Sequence, residues 1–225
     1  REIGKGARER KKTLEERRAK ARDLLNQHAS NLDFLRAKVD SAKVVDANIR
    51  CASPLDESLA SSYPPPDSVI QATLIAADGS QINPDRHAAI QFCVVNVGAI
   101  QMKLNSGETP EIFTDTELLY GDDLLPNGFP MSDGMVALKR DLDERTKLEK
   151  LSKGLKGPVV TFTDGPIELW GAKGEDAHSY EDIVQKYLGV LSRLQSRGVV
   201  TAGYVDKPSA DLVMRPAREQ TGPEP

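Results

Sequence analysis

Hydrophobic positions in the first 45 residues recur at helical intervals. Leu14, Ala21, Leu25, Leu32, Leu35 and Val39 follow one another at steps of three, four and seven, which places them on one face of a helix. Glu, Lys, Arg, Ala and Leu dominate residues 7–45, and no Gly or Pro interrupts them. The pattern predicts a long amphipathic arm or hairpin, with Asn31 as a cap or break and a narrow stripe suited to a partner helix. The periodicity then stops. Residues 46–67 read as loop, with Pro64-Pro65-Pro66 as a stiff spacer. The expected division is a helical arm with its linker at 1–67 and a main domain at 68–225.

Beyond the linker, short apolar runs replace the helical stripe. Val69–Ala77 predicts a strand stopped by an Asp78-Gly79-Ser80 turn. His87–Val97 predicts a second strand, with Gly98 as a bend or bulge before Ala99–Leu104. Pro110–Tyr120 predicts another strand. Residues 131–153 predict a helix capped by Ser132. Val159–Thr163 reads as a buried strand that again runs into Asp-Gly. Tyr180–Ser196 predicts a helix with Ile183, Val184, Tyr187, Leu188, Leu191 and Leu194 on its apolar face, ended by Gly198. Val199–Val205 predicts a last strand, and Ser209–Met214 the start of a helix. A strand meander followed by αβ units implies a mixed sheet covered by helices. The expected class is α/β: a ribonuclease H-like mixed sheet flanked by helices, with an N-terminal helical arm.

Composition adds limits. Hydrophobic residues at 39% and charged residues at 28% suit a globular protein. No apolar run approaches the roughly 20 residues of a membrane helix, and the charged start does not read as a signal peptide. Cys51 and Cys93 sit in unlike contexts, which argues against a disulfide framework or a zinc cluster. These features point to a reducing, cytoplasmic location. The chain starts at Arg1 and ends in a polar tail, so a fragment cut near its C-terminus is expected. The net charge of −4 does not announce a nucleic-acid binder, but residues 1–22 hold ten Lys or Arg against four Glu, a local +6. Lys11, Lys12, Arg17 and Arg18 there can neutralise phosphates. A solvated helical face explains the same charges equally well.

Asp78 and Asp164 are the first candidates for chemistry. Each follows an apolar strand and precedes Gly, and open sheets gather ligands beyond the carboxyl ends of their strands. If the two strands are neighbours, the carboxylates converge and repel unless a cation joins them. Mn²⁺ or Mg²⁺ suits such oxygen donors, and an ion so held can activate water and stabilise a phosphodiester transition state. The competing reading is that Asp-Gly is a turn dipeptide at both places. A third carboxylate is expected on the 131–153 helix, where Asp141 and Glu144 share the stripe of Ala137, Leu148, Leu151 and Leu155. Acids on an apolar stripe are costly unless paired or metal-bound. Glu144 is preferred to Asp141, although pairing with Arg140 and Arg145 would account for both. Asp143 and Glu149 read as solvated charges, and Glu168 as a surface acid. His28, His87 and His178 lack metal-ligand spacing, and Trp170 reads as packing. There is no Walker A sequence, dinucleotide fingerprint or nucleophile elbow.

Three segments together resemble the NurA family of DNA-repair nucleases, above all its bacterial members. They are Leu74–Ser80 (LIAADGS) with the following QFCVVNVGAI, Val159–Ile167 (VVTFTDGPI) and Gly203–Ser209 (GYVDKPS). The resemblance covers about residues 69–214. It implies a ribonuclease H-like fold, with Asp78, Glu144 and Asp164 as metal ligands and catalytic carboxylates, and a preference for Mn²⁺. It also implies 5′-to-3′ exonuclease and endonuclease action on single- and double-stranded DNA in end resection and double-strand break repair. The implied partners are a second copy of the chain, as a homodimer, and a HerA-type hexameric ATPase. Lys207, beside the third segment, would touch a phosphate. Family members continue further and place another His near their C-terminus. Two alternatives remain from the residues alone: an ATPase of the actin and sugar-kinase type, which would need a Gly-rich nucleotide clamp, and a non-catalytic interaction scaffold.

Overall fold

The computed structural model describes residues 2–65, 71–128, 130–169, 177–206 and 212–214. The chain divides into two compact units, Asp67–Lys207 and Arg1–Pro66 with Pro208–Pro225.

The smaller unit contains α1 (Glu2–His28) and α2 (Leu32–Val45). Asn31 starts α2, its side-chain oxygen accepting a hydrogen bond from the Phe34 amide. A capping Asn in place of a helical residue explains the interruption of the stripe. Leu35 and Val39 of α2 are buried. By contrast, α1 is exposed along nearly all of its length, Leu14 included. Its charges pair along the helix, Lys11 with Glu15 at 4.0 Å and Lys12 with Glu16 at 3.8 Å. Such exposed pairs add little stability. Of the helix expected from Ser209, only residues 212–214 are described, and they form a turn.

The larger unit is built on a five-stranded sheet in the order β3-β2-β1-β4-β5. Its strands are β1 (Thr73–Ile82), β2 (Phe92–Lys103), β3 (Glu111–Tyr120), β4 (Val159–Asp164) and β5 (Val200–Tyr204). The first three pair antiparallel as a meander, whereas β4 and β5 join parallel to β1. α3 (Asp133–Leu151) and α4 (Ala177–Ser196) supply the crossovers that parallel pairing requires. The fold is the expected mixed sheet flanked by helices. Among the described helices none is long and apolar enough to cross a membrane. Cys51 and Cys93 are free thiols.

Alternation along the strands assigns the two faces of the sheet. Ile75, Ala77, Val97, Ala99 and Val159 point to one side and join Leu148 of α3 with Val190 and Leu194 of α4 in a single core. The other side leaves Ile100, Ile112, Leu118, Val200 and Tyr204 exposed. Three local readings of the sequence need correction. β1 does not stop at Asp78 but runs on to Ile82, because Ser80, Gln81 and Ile82 pair with Asn96, Val95 and Val94. The stretch from His87 is turn and bend, and β2 begins only at Phe92. Gly98 makes no bulge, since its pairing with Asp78 and Thr114 lies in continuous register.

Candidate active site

Asp78 sits in the middle of β1 and Asp164 at the end of β4. Pairing between these parallel strands runs to Ala77 opposite Thr163, so the two aspartates occupy the next register position. Neighbouring strands lie about 4.8 Å apart, and alternation turns both side chains to the exposed face. Both line one open groove of about 690 Å³, with Ser80, Asn96, Gly98, Phe162 and Tyr204 among its walls. Gly98, directly across from Asp78, leaves its place in the groove empty.

Glu144 approaches from the other side of the sheet. It lies on α3, only 4% exposed, above Gly79. A Cβ on Gly79 would stand 2.8 Å from Glu144 Oε1 and 2.6 Å from Arg140 Cγ. The glycine therefore lets Glu144 and Arg140 pack against β1 on the helix-covered face, opposite the face that carries the Asp78 side chain. Two arginines face it: Arg140 Nε lies 3.4 Å from Oε1 and Arg145 Nη1 lies 3.4 Å from Oε2. Both contacts are long, and Arg140 Nε is buried without a hydrogen-bond partner. Burial raises the Glu144 pKa to about 7; the Asp141 charge adds to the rise, Arg145 and Arg140 oppose it, and Asp78 also raises it. Asp141, half-buried, is held by Arg140 Nη2 at 2.8 Å.

The structure thus joins Asp78 to Asp164 by register and Glu144 to Asp141 and Asp78 by charge. It does not gather all three proposed ligands into one cluster: among the described residues, no three acidic, histidine or cysteine side chains could hold a metal ion as they stand. The donor set nevertheless suits a hard cation. It is all oxygen, and Glu144 is a buried carboxyl that its two arginines satisfy poorly.

Glu149 corrects the sequence reading. It is 5% exposed, not solvated, and pairs with Arg197, with Lys153 at 3.5 Å and with Arg193 at 3.7 Å. α3 packs on α4 as well as on the sheet, so a residue off the sheet-facing stripe can still be interior. Asp143 is half-buried against Lys139 at 2.9 Å. Glu168 and His87 are exposed, and His28 stacks on Phe34. Lys11, Lys12, Arg17 and Arg18 lie exposed on α1. Trp170 and Lys207 lie outside the described residues, as does the side chain of His178.

Two residues have more to do than the sequence reading gave them, which took Arg145 only as a partner for the helix acids and Tyr187 only as part of an apolar face. Arg145, 3% exposed, directs Nε to the Tyr187 hydroxyl at 3.1 Å and Nη2 to the Pro166 carbonyl at 3.4 Å. Tyr187 in turn donates to the Ile167 carbonyl at 2.6 Å. The available signal was a tyrosine on an otherwise apolar helix face, since a buried hydroxyl needs a partner. Gly203 packs under the same loop: a Cβ there would meet Gly165 O at 2.5 Å and Ile167 N at 2.9 Å.

A family model described as NurA domain matches residues 72–217, more than half of the chain. Among solved structures, the NurA nuclease from Sulfolobus solfataricus is similar with a TM-score of 0.42 at 13% identity, over 64% of this chain and 51% of that one. LC9-RNase H1, a type 1 RNase H with the type 2 active-site motif, gives 0.32 at 12% identity over 67% of each chain. A foamy viral protease-reverse transcriptase in complex with dsDNA gives 0.33 at 13% identity, over 63% of this chain and 84% of that one. The chain spans about half the length of the Sulfolobus nuclease it matches. No curated protein matches it.

Proposed function

The chain belongs to the NurA domain family, and from that premise we propose that it is a divalent-metal-dependent DNA nuclease. The observation that carries the reading is the placement of Asp78 and Asp164 at one register position on neighbouring strands, on one sheet face and lining one groove. Asp78, Asp164 and Glu144 would hold Mn²⁺ or Mg²⁺. When bound, the ion supplies a Lewis acid for phosphodiester hydrolysis. The residues themselves have separable tasks. Asp78 and Asp164 present anionic oxygens to the groove. Glu144 is a buried carboxyl poised near neutrality, and it becomes a better ligand as its proton is lost. Gly98 leaves room for a strand beside Asp78.

The reading extends to 5′-to-3′ exonuclease and endonuclease action on single- and double-stranded DNA. It places the protein in end resection and double-strand break repair, in the cytoplasm, as a homodimer working with a HerA-type hexameric ATPase. The domain at 68–225 would cut. Lys11, Lys12, Arg17, Arg18 and Lys207 would contact DNA backbone.

The test is digestion of end-labelled single- and double-stranded DNA with and without Mn²⁺, beside Asp78→Ala and Asp164→Ala. Metal-dependent digestion lost in both variants is the expected result. Digestion that survives both substitutions would overturn the site.

A further inference from the structure

We propose that Arg145 and Tyr187 form a positioning pair that ties the loop following Asp164 to the helix carboxylate Glu144. The inference takes only its cation from the nuclease reading.

Asp164 ends β4, and its direction depends on the three residues that follow. Gly165 turns with φ +79° and donates its amide to the Tyr204 carbonyl at 2.8 Å. Gly203 lies against this loop so closely that a methyl group would collide with it. These contacts hold the loop from the β5 side only. From the helix side, Arg145 and Tyr187 occupy the next two carbonyls, Pro166 O and Ile167 O. The same guanidinium reaches Glu144 Oε2 at 3.4 Å and stands 5.7 Å from the Tyr187 ring centre.

One buried cation therefore touches the helix carboxylate, the loop that aims the strand carboxylate, and a tyrosine of α4. The Tyr187 hydroxyl is engaged in both directions: it accepts from Arg145 Nε and donates to Ile167 O. A planar guanidinium offers several donors in fixed directions, so it can hold these partners in one mutual geometry. A lysine cannot reach them together. Residues that orient metal-binding side chains without touching the ion commonly change metal affinity or activity by about 10- to 100-fold when removed.

The test uses the full chain and three variants. Tyr187→Phe keeps the ring and removes only the hydroxyl. Arg145→Lys keeps the charge and loses the fork. Asp115→Asn is the control, because it breaks a different α3 contact, Lys147 to Asp115 at 2.7 Å, away from the loop. Mn²⁺ uptake is titrated without DNA by the loss of the free-ion resonance signal, and amide exchange is followed at Gly165 and Ile167. The expected result is about tenfold weaker Mn²⁺ binding and faster exchange at both amides in Tyr187→Phe and Arg145→Lys, with neither change in Asp115→Asn. Mn²⁺ bound equally by wild type and Tyr187→Phe, with unchanged exchange, would overturn the pairing and leave the nuclease reading standing. A wild type that takes up no Mn²⁺ would overturn the metal site instead. Exchange then decides the pairing alone: faster only in the two loop variants upholds it, and equal in all three overturns it.

Discussion

Asp78-Gly79 and Asp164-Gly165 are the same two residues in unlike backbones. The second pair behaves as the dipeptide usually does: β4 ends, and Gly165 takes a positive φ of 79°. The first pair sits inside a ten-residue strand, opposite Gly98 and Val97. Gly79 has no positive φ among the glycines that show one. What it provides is space for Arg140 and Glu144. One glycine answers a conformational demand and the other a packing demand, yet both leave an aspartate on the same face. Identical local sequence therefore does not imply identical local structure, and substitutions should separate the two demands.

The largest effect is expected at Gly203, whose neighbours are backbone atoms that cannot turn aside. Gly203→Ala should cost about 3 kcal/mol or more, read by denaturant unfolding. Next comes the carboxyl that Gly79 admits. Glu144 ionises near pH 4.5 when unfolded and near 7 when folded. The folded state therefore holds the extra proton, and stability falls as pH rises from about 4.5 to 7. Glu144→Gln should escape that loss. In chelator above pH 7 it should exceed wild type by on the order of 1–3 kcal/mol, while losing metal-dependent digestion. A wild type whose melting temperature is flat between these pH values would contradict the burial argument.

The smaller predictions cross over. Gly79→Ala should cost about 1–3 kcal/mol through overpacking, and Gly79→Asn more, since a larger group meets the same wall. Gly165→Ala should cost roughly 1–2 kcal/mol through its left-handed backbone. Gly165→Asn should cost less than Gly165→Ala, because asparagine tolerates that region. Equal ranking at the two sites would break the comparison. The smallest effect is expected at Gly98, where an added Cβ meets only Asp78 O at 3.8 Å.

The element order was readable in the sequence because each run carries its own period and its own stop. Ser132 caps α3 by accepting from the Met135 amide, as its position before the helix implied. What could not be read were features decided by a partner strand or helix. Ser80 looks like a turn residue, and only the antiparallel β2 makes it strand. Glu149 looks solvated on a single helix, and only α4 encloses it. In the candidate site, both aspartates stand out in the sequence by ending apolar runs before glycine. Arg145 and Tyr187 do not, since a charged residue beside an acid and a tyrosine on a stripe each have simpler explanations in isolation.

The parallel pairing of β1 with β4 has a consequence in time. Asp78 and Asp164 lie 86 positions apart in the chain, with β2, β3 and α3 between them. A ribosome adding about 5–20 residues per second makes them roughly 4–17 s apart. The hairpins of β1, β2 and β3 can close in that interval, because their contacts are local. The groove cannot, and β1 waits during synthesis with one edge unpaired until β4 emerges. Premature termination before residue 164 would leave a meander carrying Asp78 alone.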